Sequence, residues 1–230
     1  EVADFLKNGD FTGLNVTIPY KKTVIPYLDE LSPAAKKLGA VNTVVRREDG
    51  TLFGHNTDYF GFASLLNRSG LDVAGKKVLV LGSGGASVTV KAALEQLGAD
   101  VTVISRSGPD DYDHLDRHAD AQIIANTTPV GMYPHNGAAA VDLRRFSRCE
   151  GVLDIVYNPA RTALLLQAEE LGIPHAGGLS MLVAQAKRSS EQFTGTAIGD
   201  EALARVERAV NQRLRNIILI GMPGSGKSAV

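Results

Sequence analysis

The sequence predicts an α/β fold, and three observations carry that prediction. Apolar runs of strand length alternate with amphipathic helical stretches along most of the chain. A glycine-rich turn, Gly82-Ser83-Gly84-Gly85-Ala86-Ser87, joins one such run to a helix. No internal repeat or low-complexity tract competes with the pattern. At 230 residues, 44% apolar and 21% charged, the chain can form one or two domains with a substantial core. The net charge of -1 gives no push toward nucleic acid or an anionic membrane. No apolar run approaches the ~18–20 residues that a membrane-crossing helix needs. The first residues, Glu1-Val2-Ala3-Asp4, lack the pattern of a secretion signal. A lone cysteine, Cys149, rules out an intrachain disulfide and fits a reducing cytoplasm; it reads as a structural thiol.

In chain order, Glu1 stands in what reads as the middle of a helix, and Leu14 to Ile18 reads as a short strand ending at Pro19. A helical pattern runs from Lys22 to Leu38, broken by Pro26 and by Ser32-Pro33. Val41 to Arg46 and Leu52 to Gly54 flank Asp49-Gly50, a strong turn dipeptide, so a hairpin is expected. Tyr59 to Ser69 reads as a helix closed by Gly70. Strands follow at Lys77–Leu81, Val101–Ile104, Ile123–Ala125 and Val152–Val156. Helices are expected up to Leu97, over Thr162–Leu171 and over Leu179–Phe193. Such alternation implies a mostly parallel sheet covered on both faces. Gly195 to Asp200 reads as a linker, Glu201 to Leu214 as a polar helix, and Asn216 to Ile220 as a fresh strand.

The glycine-rich turn follows a strand and opens a helix, the context in which Gly-x-Gly-x-x-small binds a dinucleotide. Gly82 can make the tight turn, Gly84 lets the backbone approach a pyrophosphate, and Ser87 is small enough for close helix–strand packing. The helix start supplies free N–H groups to the phosphates. The next strand ends Ile104-Ser105-Arg106 with no acid to bond a ribose 2′-hydroxyl. Arg106 can instead meet a 2′-phosphate, so NADP is the expected cofactor. A structural turn and a solvated surface arginine are the plain alternatives.

Upstream lie three polar motifs: Asn15-Val16-Thr17-Ile18-Pro19-Tyr20-Lys21, Gly39-Ala40-Val41-Asn42-Thr43 and Asn56-Thr57-Asp58. Each alone could be turn chemistry. Together they offer one lysine, one aspartate and several neutral hydrogen-bonding groups, a set suited to a polyhydroxylated small molecule.

These motifs, the glycine-rich turn, Asn126-Thr127-Thr128-Pro129-Val130-Gly131-Met132, Tyr157-Asn158-Pro159 and Gly178-Leu179-Ser180-Met181-Leu182-Val183-Ala184-Gln185 stand in the order found in shikimate dehydrogenases. Residues 1 to 195 resemble that family. The resemblance implies a catalytic pair of Lys21 and Asp58, and substrate contacts from Thr17, Asn42, Thr57, Tyr157 and Gln185. On the cofactor side it implies Gly178 and the loop carrying Thr127 and Met132, beside Gly82, Ser83, Gly84, Gly85, Ala86, Ser105 and Arg106 of the glycine-rich unit. The implied reaction is NADP-dependent, reversible reduction of 3-dehydroshikimate to shikimate in aromatic amino-acid biosynthesis, with quinate or a related hydroxy acid as the alternative substrate. A cytoplasmic monomer or homodimer is expected. No metal is expected, since His114, His118, His135 and His175 lack ligand spacing. His55 adjoins Asn56-Thr57-Asp58 but carries no assigned role.

Two departures stand out. The family's Ser-x-Ser segment, which holds the substrate carboxylate, has no counterpart before Asn15, so the substrate domain is expected to be incomplete at its N-terminus. At the other end, Gly221-Met222-Pro223-Gly224-Ser225-Gly226-Lys227-Ser228 is a full phosphate-loop signature. It resembles the start of a shikimate kinase, pointing to a dehydrogenase–kinase fusion, with only Ala229 and Val230 beyond it. The expected organisation is a substrate domain over 1–65, a Rossmann-like domain over 66–174, helices over 175–200 packing back on the substrate domain, and a linker helix with the kinase start over 201–230.

Overall fold

The structure, a computed structural model, describes residues 2–17 and 19–214. Ile18, the expected strand at Asn216–Ile220 and the phosphate-loop signature lie outside the described residues.

The smaller sheet is built from β1 (Gly13–Asn15), β2 (Glu30–Leu31), β3 (Thr43–Arg46) and β4 (Leu52–His55), in the order β1-β3-β4-β2. β3 and β4 form the expected antiparallel hairpin, with Arg46 opposite Leu52. Its turn is held by Asp49, whose carboxylate accepts hydrogen bonds from the Thr51 N–H at 3.0 Å and hydroxyl at 2.6 Å. The stretch expected to be helical from Lys22 to Leu38 is more broken than its pattern implied. It holds a 3-10 turn at Ile25–Tyr27, the short β2, and α2 (Pro33–Leu38), which Ser32 caps through the Ala35 N–H. Pro26 and Pro33 each deny the backbone a donor, so continuous helix gives way to β2, which pairs in parallel with β4. Helix α1 (Val2–Asn8) lays Leu6 into a core with Val24, Ala35, Val41, Val44 and Leu52.

The larger sheet contains β5 (Lys77–Leu81), β6 (Asp100–Ile104), β7 (Ile123–Asn126), β8 (Gly151–Asp154) and β9 (His175–Gly177), all parallel, in the order β6-β5-β7-β8-β9. The three-residue β9 has too little apolar content to be read from sequence; its neighbour β8 specifies it. Strand alternation sorts the core. Val78 and Val80 face a cluster with Phe62, Leu65 and Leu66 of α3 (Asp58–Ser69), Val90, Ala93 and Leu94 of α4 (Gly85–Gln96), and Met181. Leu79 and Leu81 face the other side, with Leu143, Phe146 and, on α5 (Ala163–Glu170), Leu164, Leu165 and Ala168. Burial on both faces is why these strands read as unbroken apolar runs.

Helix α6 (Leu179–Thr194) spans both halves: Met181 packs in the core of the larger sheet, while Phe193 occupies the space where a side chain on Gly13 of β1 would stand. It runs beside α3, and Gly61 lets them touch. A Cβ there would sit 2.7 Å from the Met181 carbonyl oxygen and 2.9 Å from the Gln185 Cβ. The helix read from sequence as a polar linker, α7 (Asp200–Arg213), packs against α6. Arg68 pairs with Glu207 at 2.5 Å, and Ile198 donates its N–H to Glu191 at 3.0 Å.

Gly61→Ala should lower stability by about 1–3 kcal/mol, because the added methyl meets rigid backbone across the α3–α6 contact. Gly85→Ala, whose methyl would meet nothing within 4 Å, should stay within about 0.5 kcal/mol of the parent. Urea unfolding midpoints at constant slope would measure both.

Candidate active site and cofactor cradle

The three upstream motifs, distant in sequence, are stitched together by backbone bonds. Val16 donates to the Asn42 carbonyl at 2.8 Å, Val41 to the Lys21 carbonyl at 2.8 Å, and Asn42 to the His55 carbonyl at 3.0 Å. Thr57 is the residue before the first turn of α3, and Asp58 opens the helix. That placement aims Asp58 at Lys21, whose ammonium donates to Asp58 Oδ2 at 2.6 Å. Both side chains are largely buried, at 23% and 17% exposure, so the pair is screened less than a surface salt bridge.

Behind this pair lies a closed ring of hydrogen bonds. Asn42 Nδ2 donates to Thr57 Oγ1 at 3.0 Å, and Thr57 and Thr43 both meet Ser189 Oγ, at 3.0 and 2.9 Å. Thr43 Oγ1 donates to Asn42 Oδ1 at 3.1 Å, and that oxygen also takes the Thr57 N–H at 2.8 Å. All four residues are buried. The ring orients the Asn42 amide, saturates its oxygen, and leaves its second Nδ2 hydrogen for a ligand acceptor. Sequence reading singled out Asn42 and Thr57 but missed Ser189, a serine within an amphipathic helix with no local signal. Gln185 lies on the same face of α6, one turn earlier, half-buried beside Gly61. Thr17 and Tyr157 are exposed. Tyr157 lines a cavity of about 290 Å³ with Gly178 and Leu65.

The residues expected on the cofactor side share one edge. Ile104, Leu81, Asn126, Asp154 and Gly177 form a row across five strands. Immediately after that row come Ser105 and Arg106, Gly82, Thr127, Ile155 and Gly178. The carboxyl edge of a parallel sheet is where open α/β folds bind ligands. Gly82 has φ of 101°, and a Cβ there would lie 2.8 Å from Thr128 Cγ2. Thr127 anchors the facing loop by donating its hydroxyl to the Leu81 carbonyl at 2.6 Å. Past the turn, Gly84 and Gly85 at the start of α4 have nothing within 4 Å of where a Cβ would stand, and Ser83 and Ala86 flank them. A diphosphate fits such an open cradle at a helix start. Gly178 is obligatory for packing, since a Cβ would overlap the Ile155 carbonyl at 2.0 Å. Ser105 is buried; Arg106 is exposed and has no ion-pair partner among the described residues, free to meet a phosphate. Met132, 41% exposed, stands in the Asn126–Met132 loop. No cluster of metal-binding side chains occurs among the described residues, and no described helix is long and apolar enough to cross a membrane.

The family model for the shikimate dehydrogenase substrate binding domain matches residues 1–44. The NADP(+) shikimate dehydrogenase of Clostridium perfringens (strain SM101 / Type A) is 36% identical over 211 residues, covering 86% of this chain and 78% of that protein. This chain belongs to the shikimate dehydrogenase family. Family likeness extends to the fold. The chorismate mutase/shikimate 5-dehydrogenase fusion protein of Clostridium acetobutylicum superposes with a TM-score of 0.85 at 34% identity, over 92% of this chain and 81% of that one. The shikimate 5-dehydrogenase of Thermus thermophilus, solved with NADP(H) and shikimate, gives 0.77 at 32% identity, over 90% and 82%.

The His55 imidazole stands beside the site and makes no hydrogen bond among the described residues, although its carbonyl accepts the Asn42 N–H. Burial, then the charges of Arg188 and Arg47, hold its imidazole below the usual 6.5. A folded-state value below the unfolded one means the unfolded chain binds the extra proton first. Stability is then full above about pH 6.5 and falls as pH drops through that value. His55→Gln should flatten the loss of stability between pH 7 and 5.5, as read from melting temperatures across that range.

Proposed function

We propose that this chain catalyses the NADP-dependent, reversible reduction of 3-dehydroshikimate to shikimate. The Lys21–Asp58 pair, held at 2.6 Å against the Asn42–Thr57 ring, carries the reading. Bound NADPH would supply the hydride. The chain's own residues handle the proton and the geometry. As negative charge builds on the carbonyl oxygen, the Lys21 ammonium stabilises it and donates a proton; in the reverse direction the Lys21 amine takes the hydroxyl proton. Asp58 aims the ammonium and can accept a hydrogen bond from a neighbouring substrate hydroxyl. Asn42 and Thr57 offer fixed hydrogen-bonding groups to the ring hydroxyls, with Thr17, Tyr157 and Gln185 as further contacts. A site whose polar groups are pre-oriented rejects substrates that leave them unpaired.

Support for NADP over NAD comes from Arg106, exposed just past β6 with no neighbouring acid in Ser105-Arg106-Ser107. The division at residues 65 and 174 remains a proposal about lobes: residues 65 and 66 both lie within α3, whose first turn holds Asp58 and whose later turns pack on the larger sheet. A cytoplasmic monomer or homodimer is the proposed setting, with the half-buried Cys149 thiol, pushed up by burial, suited to a reducing compartment. For Gly221–Ser228 the proposal is the phosphate loop of a joined shikimate kinase, supported by its sequence pattern alone.

Lys21→Ala should lower kcat about 100-fold or more while NADP affinity, measured by calorimetry, stays put. A large rise in shikimate KM with kcat intact would make Lys21 a binding residue instead. Arg106→Ala should shrink the preference for NADP over NAD by about 10-fold or more, the scale of one charge-assisted hydrogen bond. Equal turnover with both cofactors before mutation contradicts the cofactor assignment, and turnover of quinate in preference to shikimate contradicts the substrate.

A further inference from the structure

Asp154 is completely buried, and no role in substrate or cofactor contact accounts for it. It ends β8, in register with Asn126 of β7 on one side and Gly177 of β9 on the other. Its carboxylate receives three hydrogen bonds: Asn126 Nδ2 at 3.0 Å and the Val156 N–H at 3.0 Å on Oδ1, and the Thr162 hydroxyl at 2.6 Å on Oδ2. Each donor belongs to a different part of the carboxyl edge. Asn126 passes the constraint on, since its Oδ1 accepts both the Thr128 N–H at 3.0 Å and the Thr128 hydroxyl at 2.7 Å. The Thr128 methyl in turn lies 2.8 Å from where a Cβ on Gly82 would stand. On the other side, Val156 precedes Tyr157, and its carbonyl accepts the Gly178 N–H at 3.1 Å.

We propose that Asp154 is a positioning residue that sets the Asn126–Met132 loop, the Tyr157 segment and Gly178 in register with the glycine-rich turn for cofactor binding. This rests on reading the chain as an NADP enzyme. The reason for an acid is arithmetic of donors. All three partners donate, and a carboxylate is the one side chain of this size that only accepts. Asparagine, equal in shape, would turn an N–H toward Thr162. The Thr162 oxygen already takes the Leu165 N–H at 3.3 Å as the cap of α5, and its own proton would lose its acceptor. Burial raises the Asp154 carboxyl above its ordinary value, and the bonds from Thr162, Val156 and Asn126 oppose that rise, so the surrounding donors are what favour a carboxylate here.

The test compares Asp154→Asn, Thr128→Val, Thr162→Val and Thr162→Ser in the full chain, by NADP calorimetry and hydrogen exchange. Asp154→Asn should weaken NADP binding about tenfold or more, the loss of one hydrogen bond to a charged group. It should speed exchange in residues 127–132 and 155–158 while residues 52–58 keep their protection. Thr128→Val keeps the buried carboxylate and the methyl against Gly82 and cuts only the onward link; it should show the same exchange pattern in 127–132, so the proposal stays testable even if Asp154→Asn does not fold. Thr162→Val should loosen NADP binding and Thr162→Ser should restore it. NADP affinity within twofold of the parent for both Asp154→Asn and Thr128→Val, or exchange that rises evenly along the chain, overturns the positioning role. A parent protein that does not bind NADP overturns the functional reading instead, and the exchange pattern alone then decides whether Asp154 couples the loops.

Discussion

The close contact of α3 with α6 is the constraint on which the rest depends. Gly61 sits against the Met181 carbonyl, with no room for a methyl between them. The first turn of α3 presents Asp58, and its later turns pack Phe62, Leu65 and Leu66 on the larger sheet. Helix α6 follows Gly178 at the carboxyl edge of the larger sheet, passes Gln185 beside Gly61, and reaches the smaller sheet through Ser189 and Phe193. At about 1.5 Å per residue, its sixteen residues bridge roughly 24 Å. One helix pair thus couples the group proposed to move a proton to the edge proposed to hold the cofactor, and a shift in their spacing would move both.

Electrostatics at the two ends of this pair are handled differently. Lys21 and Asp58 are mostly buried but not sealed, and each is the other's partner. Removing either would strand a charge in a poorly solvated place, which is why such pairs are costly to break even when they add little to stability. Asp154 is sealed and, among the described residues, has no ion-pair partner and is bonded by neutral donors. The first arrangement leaves an ammonium group partly open to a ligand. The second gives rigidity, because both carboxylate oxygens are already bonded to donors from separate segments. The hydroxyl ring through Ser189 resembles the second and holds the groups around the first.

Much of the molecule was legible because its signals are local. The Gly82–Ser87 turn, the Asp49-Gly50 hairpin and the long apolar strands each announce themselves within a few residues. Even the proposed site could be named from motif order, since Lys21, Asn42, Thr57 and Asp58 sit in compact polar segments between apolar ones. The shortest strands were not legible. β2 and β9, two and three residues long, are strands only because a neighbour offers backbone partners. Helix α7 read as a polar linker helix because its polar face dominates its composition, and its packing against α6 is what tertiary structure adds.

Local chemistry in the chain determined the βα alternation, the glycine cradle, the absence of a disulfide and the residue types at the site. Tertiary structure alone decided which of those residues meet. Asn42 and Ser189 are 147 positions apart but share a hydrogen-bonded ring, and Asp154 became a hub only when β7 and β9 paired on either side of β8. The physical reason is that a buried polar group is defined by its partners, and partners brought from distant segments leave no pattern in the sequence around any one of them.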